Sequence, residues 1–283
     1  MIPERISVTY NLTYGIVQHL HRYAFASVFA NRKKVLDIAC GEGYGSNLIA
    51  QIAEAVTGVD IDEETIQKAK TKYPRQNLIF KHGSASSIPC EDNYFDIVIS
   101  FETIEHLNEH IQMFAEIKRV LKPDGILILS SPDKTLSDTF GISNKYHVKE
   151  LKKEELLTLA QQFFDFSKIL VQQLVVGSLV SPNDDSISKF MIFDGDFNEI
   201  KFQLRRSNPF NVPFFNILVC SDLELDLMEY PLSSFYNAYP VYERKLNETR
   251  LLVEKSFHSL DFKLGNFLMK PLRFILRVWK KLI

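Results

Sequence analysis

The chain has 283 residues, of which 46% are hydrophobic and 24% are charged, and its formal net charge is −2. This length can bury a substantial core, and the composition is that of an ordinary globular protein. The balanced charge argues against broad nucleic-acid binding, which usually shows as a basic surplus. Cys40, Cys90 and Cys220 have no CxxC spacing, which predicts free thiols in a reducing compartment.

No segment of the sequence predicts export or a membrane span. Residues 1–5 are not followed by the apolar stretch of a signal peptide, and no run of 18 apolar residues is present. We therefore expect a cytoplasmic protein.

A helix is predicted first, over residues 6–30. From residue 35 onward strand and helix patterns alternate, which is typical of a parallel sheet with helices on both faces. Strands are predicted at 35–39, 55–60, 78–81, 95–100 and 126–130, and helices near 45–54, 63–73, 108–121 and 152–164. Residues 122–125 have the composition of a turn. Residues 168–180 and 215–225 again have strand composition.

The most informative stretch is 35–46, VLDIACGEGYGS, in which a strand runs into a turn with Gly41, Gly43 and Gly45. Glycines without a Cβ let a ligand approach the backbone. The helix that follows directs free N–H groups and the positive end of its dipole at that turn. The pattern predicts a nucleotide-like ligand. The third glycine comes one residue too early for the dinucleotide fingerprint.

The run D-x-A-C-G-x-G-x-G, which begins at Asp37, resembles motif I of class I S-adenosylmethionine (SAM) methyltransferases. Asp60 at the end of the second strand, Asp96 in the "FD" pair and RVLKPDG at 119–125 follow in the family's order. The resemblance covers about residues 31–135. It implies SAM as the cofactor and an α/β, Rossmann-like sheet of seven strands in the order 3-2-1-4-5-7-6, with helices on both faces. The last two strands of this sheet are an antiparallel pair, which we assign to 168–180 and 215–225.

Several side chains are candidates for holding the cofactor. Asp60 can accept both ribose hydroxyls, whereas Asp62 suits the N-cap of the next helix better. In the family the residue after the ribose acid packs on the adenine, which is Ile61 here. Ser84 stands where the family often has an aspartate, so it departs from the pattern. The complete predicted set is Asp37, Ala39, Cys40, Gly41, Gly43, Asp60, Ile61, Ser84, Ala85 and Phe101.

The first predicted helix contains His19, His21, Arg22 and Tyr23 in one short stretch. In the family this helix often closes over the cofactor, and its Arg or Tyr meets the methionine carboxylate or the acceptor. The alternative is a solvated polar face on a packing helix.

The segment after the fourth strand contains Glu102, Glu105 and His106, an E-x-x-E-H pattern. On a helix these residues share one side, and carboxylates with an imidazole suit Mg²⁺ or another divalent ion. The pattern resembles that of plant-type small-RNA 2′-O-methyltransferases and ubiquinone-pathway O-methyltransferases, where it contributes metal ligands. His147 takes the place of a further ligand. His106 and His147 are also candidate catalytic bases without a metal, and a structural role for His106 remains open.

The second half predicts the acceptor side. Residues 1–230 form the predicted methyltransferase domain, in which 181–212 is interpreted as a lid over the acceptor pocket or as a peripheral excursion. Residues 231–283 form an extension. Within it, 266–283 predicts an amphipathic helix whose basic face carries Arg273, Arg277, Lys280 and Lys281. This helix suits peripheral contact with the inner face of the membrane, docking on its own domain, or homo-oligomerisation.

The runs HLHRYAFA, NKYHVKEL and VQQLVVGS, together with motif I, are similar to bacterial methyltransferases associated with surface-polysaccharide synthesis. This resemblance implies that a sugar hydroxyl of a glycan or its precursor is the acceptor. Three alternatives stay open: O-methylation of a quinone or small aromatic, RNA 2′-O-methylation, and a non-catalytic SAM-binding module.

Overall fold

The computed structural model describes residues 14–141, 144–172, 192–195, 200–203 and 215–225. The chain divides into two units, Met1–Phe235 and Tyr236–Ile283, and every described residue belongs to the first. The predicted extension at 231–283, its basic helix at 266–283 and most of the predicted lid at 181–212 lie outside the described residues.

The strands form one large sheet and one small one. The strands in chain order are β1 (Lys34–Ile38), β2 (Ala55–Asp60), β3 (Leu78–His82), β4 (Phe95–Phe101), β5 (Leu121–Pro132), β6 (Phe166–Gln172), β7 (Ile192–Gly195), β8 (Ile200–Gln203) and β9 (Phe215–Ser221). Seven of them pair in the order β3-β2-β1-β4-β5-β9-β6. The first five strands run parallel, and β9 is antiparallel to both of its neighbours. The predicted order is therefore confirmed, and among the described residues β7 and β8 form a separate two-stranded sheet.

The helices are α1 (Tyr14–Ser27), α2 (Tyr44–Ile49), α3 (Glu63–Lys72), a 3-10 helix (Ile104–His106), α4 (His110–Val120), α5 (Lys134–Phe140) and α6 (Lys153–Ala160). The short helix α5 was not predicted. Asp62 caps α3 by accepting a hydrogen bond from the backbone N–H of Thr65 at 3.2 Å, as expected for this residue. None of the helices in the described ranges combines the length and the apolar character needed to cross a bilayer.

The core lies on both faces of the sheet because successive strand residues point to opposite sides. On one face, side chains such as Val35, Ile97 and Ile99 pack with helices α1 to α3. On the other face, Leu36 and Val98 pack with α4 and α6. This arrangement leaves the carboxyl ends of the parallel strands as the edge at which ligands bind in such sheets.

The predicted turn at 122–125 lies within β5. Phe95 pairs with Leu121 and Ile97 pairs with Ile126, so the register shifts between these two pairs. Residues 122–125, which lie between Leu121 and Ile126, therefore form a bulge in the ladder. Asp96 fixes the bulge, because its carboxylate accepts hydrogen bonds from the Lys34 backbone N–H at 2.8 Å and from Lys122 Nζ at 2.7 Å.

Candidate functional site

The turn after β1 presents an open surface at Gly41. Ala39 and Gly41 have φ angles of +56° and +54°, and Ala39 is exposed. A Cβ added to Gly41 would meet no heavy atom within 4 Å. This glycine therefore leaves the backbone accessible to a ligand at the carboxyl edge.

The two later glycines serve packing. A Cβ on Gly43 would lie 2.6 Å from the ring of Phe80, and a Cβ on Gly45 would lie 1.9 Å from the ring of Tyr23. Phe80 of β3 and Tyr23 of α1 therefore pack against the turn. The Cβ position of Gly43 points toward the protein interior, and the predicted cofactor contact of this glycine stays a prediction.

Asp60 lies beside the open glycine, because β1 and β2 are neighbours. Its Oδ2 accepts a hydrogen bond from the Gly41 backbone N–H at 2.9 Å, and its Oδ1 accepts one from the Asp62 backbone N–H at 2.9 Å. Each carboxylate oxygen can accept a second hydrogen bond. Ile61 follows with its side chain 68% exposed. A carboxylate beside an exposed apolar side chain suits a ribose and the adenine attached to it.

Several predicted contact residues are buried. The Cys40 side chain lies in the core against Gly58, and burial raises the pKa of its thiol well above the usual range. Ala85 is a core residue, and Phe101 packs edge-to-face on Tyr23 with ring centroids 5.0 Å apart. A ligand at the carboxyl edge would meet Cys40 and Ala85 mainly through their main chain.

Ser84 departs from the family's aspartate, and its hydroxyl is occupied locally. Its Oγ lies 3.0 Å from Ser86 Oγ and accepts a hydrogen bond from the Ser86 backbone N–H at 3.2 Å. The loop after β3 therefore offers a small polar group in place of a carboxylate.

Asp37 lies beneath the turn. Its side chain is buried, accepting hydrogen bonds from Ser46 Oγ at 2.6 Å and from the Tyr23 hydroxyl at 3.2 Å. Burial raises the pKa of Asp37 to about 7, although these two hydrogen bonds oppose the shift. Its carboxyl group therefore joins β1 to α2 and α1, and its predicted role in holding the cofactor stays a prediction.

Helix α1 is anchored to the sheet by a buried arginine. Arg22 is 1% exposed, and its Nη1 donates to Glu102 Oε1 at 2.5 Å and to Ser130 Oγ at 2.8 Å. Its guanidinium group lies 4.5 Å above the Phe215 ring. These contacts join α1 to the ends of β4, β5 and β9. A solvated polar face is excluded for Arg22 and for the buried Tyr23.

His19 adds a further contact between α1 and the turn. Burial, with a smaller effect of the Arg22 charge, lowers the pKa of His19 to about 3. The Nδ1 atom of His19 forms a hydrogen bond with the Tyr44 hydroxyl at 3.0 Å.

Glu102 is set apart from the other predicted metal ligands. Its φ angle is +54°, and its carboxylate binds Arg22 and accepts a hydrogen bond from Ser130 Oγ at 2.7 Å. The 3-10 helix begins only at Ile104. The predicted helix with Glu102 and Glu105 on one side is therefore wrong, because the backbone turns between them.

The remaining three predicted ligands come together. One potential ligand atom each from Glu105, His106 and His147 lies within 4.8 Å of the others. The backbone carbonyl of Glu105 accepts hydrogen bonds from the N–H groups of Val148 and Lys149 at 2.8 and 3.0 Å, which brings the segment after α5 onto the 3-10 helix. A carboxylate and two imidazoles match the preferences of several divalent ions.

Hydrogen bonds define the tautomers of both histidines. His106 Nδ1 lies 3.0 Å from the carbonyl oxygen of Tyr146. A carbonyl only accepts, so Nδ1 carries the proton and the lone pair of the neutral ring is on Nε2. His147 Nδ1 donates to Glu150 Oε1 at 2.5 Å, and its Nε2 accepts from Asn144 Nδ2 at 2.9 Å.

No role was predicted for Asn144, Tyr146 or Glu150. The only local signal for them was spacing, since Asn144 and Glu150 each stand three residues from His147. The role of Tyr146 depends on its main-chain carbonyl, and a pattern of side chains in the sequence gives no information about that group.

Asp37→Asn removes a group whose pKa changes on folding. Because the folded pKa is raised, Asp37 favours the folded state fully below its ordinary pKa of 3.8, and this contribution is lost as the pH rises to about 7. Asparagine does not titrate. The unfolding free energy of the variant relative to the wild type should therefore rise by about 2.5 kcal/mol between pH 5 and pH 8. Urea unfolding at both pH values measures this, and a difference independent of pH would contradict it.

Comparisons with known proteins place the site in context. Residues 36–129 match the family model of a methyltransferase domain. The chain is 37% identical over 134 residues to a probable S-adenosylmethionine-dependent methyltransferase of Mycolicibacterium smegmatis, covering 46% of this chain and 50% of that protein. It is 34% identical over 112 residues to the ubiquinone biosynthesis O-methyltransferase of Haemophilus ducreyi, covering 37% of this chain and 47% of that protein. The chain thus spans about half the length of these curated relatives.

A solved structure agrees on the fold. A protein of Pyrococcus horikoshii superposes with a TM-score of 0.52 over 75% of this chain and 93% of that chain, at 22% identity. This likeness concerns the fold alone. The chain has the Rossmann-like fold of class I methyltransferases, and residues 36–129 match the model of a methyltransferase domain.

Proposed function

We propose that this protein is an enzyme that transfers a methyl group from SAM to a hydroxyl oxygen, with a sugar hydroxyl of a bacterial glycan or its precursor as the acceptor. The observation that carries the proposal is the open backbone at Gly41 beside the Asp60 carboxylate. The similarity to probable SAM-dependent methyltransferases over 134 residues supports it.

The methyl group of SAM needs no further activation by the protein. The sulfonium of SAM is an activated donor, and transfer is an in-line displacement in which the acceptor oxygen forms a bond to carbon as the carbon–sulfur bond breaks. The protein has to align the two reactants and remove the proton of the hydroxyl group.

We assign the removal of that proton to His106. It follows β4 at the carboxyl edge, and its Nδ1–H is held by the Tyr146 carbonyl. The Nε2 lone pair then takes the proton as the acceptor oxygen attacks the methyl group. An imidazole lone pair is a common general base in proton transfer.

A divalent ion fits part of the predicted ligand set. Glu105, His106 and His147 would hold it, whereas Glu102 is bound to Arg22. His147 would have to give up the amide of Asn144. When bound there, such an ion would polarise the acceptor hydroxyl and lower its pKa.

The choice of a sugar rests on two arguments. The sequence runs in α1 and at 144–151 are similar to methyltransferases of surface-polysaccharide synthesis. The segment around His106 is also polar, with hydrogen-bonded side chains at Asn144, His147 and Glu150. A polar surrounding suits a polyhydroxylated acceptor better than an apolar ring.

A phenolic hydroxyl is the second candidate acceptor. The relative from Haemophilus ducreyi is named for O-methylation in ubiquinone biosynthesis, and the alignment with it covers 112 residues. An acceptor of this kind predicts an apolar acceptor pocket.

Transfer of a labelled methyl group from SAM into fractionated bacterial lysate tests the acceptor, with Mg²⁺ in one arm and EDTA in the other. We expect label in the glycolipid or polysaccharide fraction in both arms, since His106 can act as a base by itself. Loss of that label with EDTA would contradict the metal-free base and favour a divalent ion held by Glu105, His106 and His147. Label in small aromatics or in RNA would contradict the sugar assignment.

Gly41→Ala and Gly43→Ala separate ligand binding from packing. The new methyl group at Gly41 enters the open space proposed for the cofactor, so SAM affinity should fall at least about tenfold, or 1.4 kcal/mol. The protein should still fold, with a loss of about 1–2 kcal/mol from the strain of a side chain at a φ of +54°. At Gly43 the methyl group collides with Phe80, so the unfolding free energy should fall by about 1–3 kcal/mol. Calorimetry and thermal unfolding measure the two effects. Unchanged SAM affinity in Gly41→Ala would exclude this site.

His106→Asn removes the proposed base and keeps a donor for the Tyr146 carbonyl, because the asparagine amide can replace Nδ1–H. We expect kcat to fall by about 10²–10⁴-fold, the usual contribution of a general base. The SAM dissociation constant and the unfolding temperature should match the wild type and serve as controls. A variant with wild-type kcat would eliminate His106 as the base.

A further inference from the structure

The segment 144–151 covers the 3-10 helix and supplies the acceptor that orients His106. Its main chain donates two hydrogen bonds to the Glu105 carbonyl and accepts one from His106 Nδ1 at Tyr146. At its far end the Leu151 carbonyl accepts a hydrogen bond from the backbone N–H of Lys134 at 3.2 Å, the first residue of α5. The direction of the Tyr146 carbonyl therefore depends on how this segment is folded.

Side chains within the segment fix that fold. Asn144 Oδ1 accepts a hydrogen bond from the Tyr146 backbone N–H at 3.1 Å, while its Nδ2 donates to His147 Nε2. His147 donates in turn to Glu150 Oε1, and Glu150 Oε2 accepts from Ser137 Oγ of α5 at 2.5 Å. The His147 and Glu150 side chains are only 14% and 12% exposed. Shielding from water strengthens such a charge-assisted hydrogen bond.

This chain of contacts leads from Glu150 to the proposed base. Glu150 orients His147, His147 with Asn144 shapes the segment, and the segment presents the Tyr146 carbonyl to His106. The rings of His106 and His147 also meet edge-to-face, with centroids 5.2 Å apart.

We propose that Glu150 is a positioning residue for methyl transfer: through His147 it holds the Tyr146 carbonyl on His106 Nδ1 and keeps the lone pair of His106 on Nε2. This inference rests on the proposed role of His106. It assigns His147 the role of stabilising the fold of residues 144–151, because the Nε2 of His147 accepts a hydrogen bond from the Asn144 amide.

The test compares Glu150→Ala and Glu150→Gln with Glu154→Gln as a control. Glu154 is an acid of α6 whose side chain is 74% exposed. Nitrogen-15 NMR of the histidine rings reports the tautomer of His106 without any substrate. Steady-state kinetics with SAM and an accepted hydroxyl substrate report kcat and KM separately.

We expect Glu150→Ala to convert part of His106 to the tautomer protonated at Nε2 and to lower kcat by about 10- to 100-fold, with KM for SAM unchanged. Glu150→Gln should restore both readouts in large part, because its amide oxygen still accepts from His147 Nδ1–H. Glu154→Gln should match the wild type.

A His106 tautomer that is unchanged in Glu150→Ala would overturn the inference. If that variant fails to fold, Ser137→Ala, which removes one hydrogen bond to Glu150, must shift the same tautomer in the same direction or the inference fails. A shifted tautomer with unchanged kcat would uphold the positioning role and contradict His106 as the base, so the two failures are distinguishable.

Discussion

The buried guanidinium group of Arg22 is the interaction on which the candidate site depends. It ties α1 to the ends of three strands through Glu102, Ser130 and Phe215. Removing one partner of a buried ion pair leaves an uncompensated charge, which typically costs about 3–5 kcal/mol. The pair therefore fixes α1 over the glycine turn, and it also takes Glu102 away from the acceptor side.

Two groups of contacts then divide the carboxyl edge. On the donor side, Asp60 and the open backbone of Gly41 lie next to each other because β1 and β2 are neighbours. On the acceptor side, the 3-10 helix after β4 carries His106, and the 144–151 segment orients it. The sheet brings both groups of contacts to one edge, as the proposed methyl transfer between two bound molecules requires.

Local patterns allowed much of this architecture to be predicted. The strand order was implied by the resemblance to class I methyltransferases. The position of Asp60 at the end of β2 and the capping role of Asp62 follow from periodicity and from motifs within a few residues of each other. Sequence patterns could not show which glycine faces open space and which ones are needed for packing. The residues that leave no room for a Cβ at Gly43 and Gly45 are Phe80 and Tyr23, which are remote in the chain.

The failures on the acceptor side have a similar cause. The E-x-x-E-H spacing suggested a helix, but Glu102 pairs with a residue 80 positions away and its backbone adopts a left-handed turn. Helix α5 has only 7 residues, too few to show a clear period. The orientation of His106 depends on a main-chain carbonyl, which any residue type supplies.

A crystal structure of the protein with S-adenosylhomocysteine, the product left by SAM, tests the central claim most directly. Our account predicts that both ribose hydroxyls lie on the Asp60 carboxylate, with the ligand passing the open side of Gly41 and its sulfur facing the side of the site that carries His106. A nucleoside bound away from Asp60, or a sulfur directed away from His106, would contradict it.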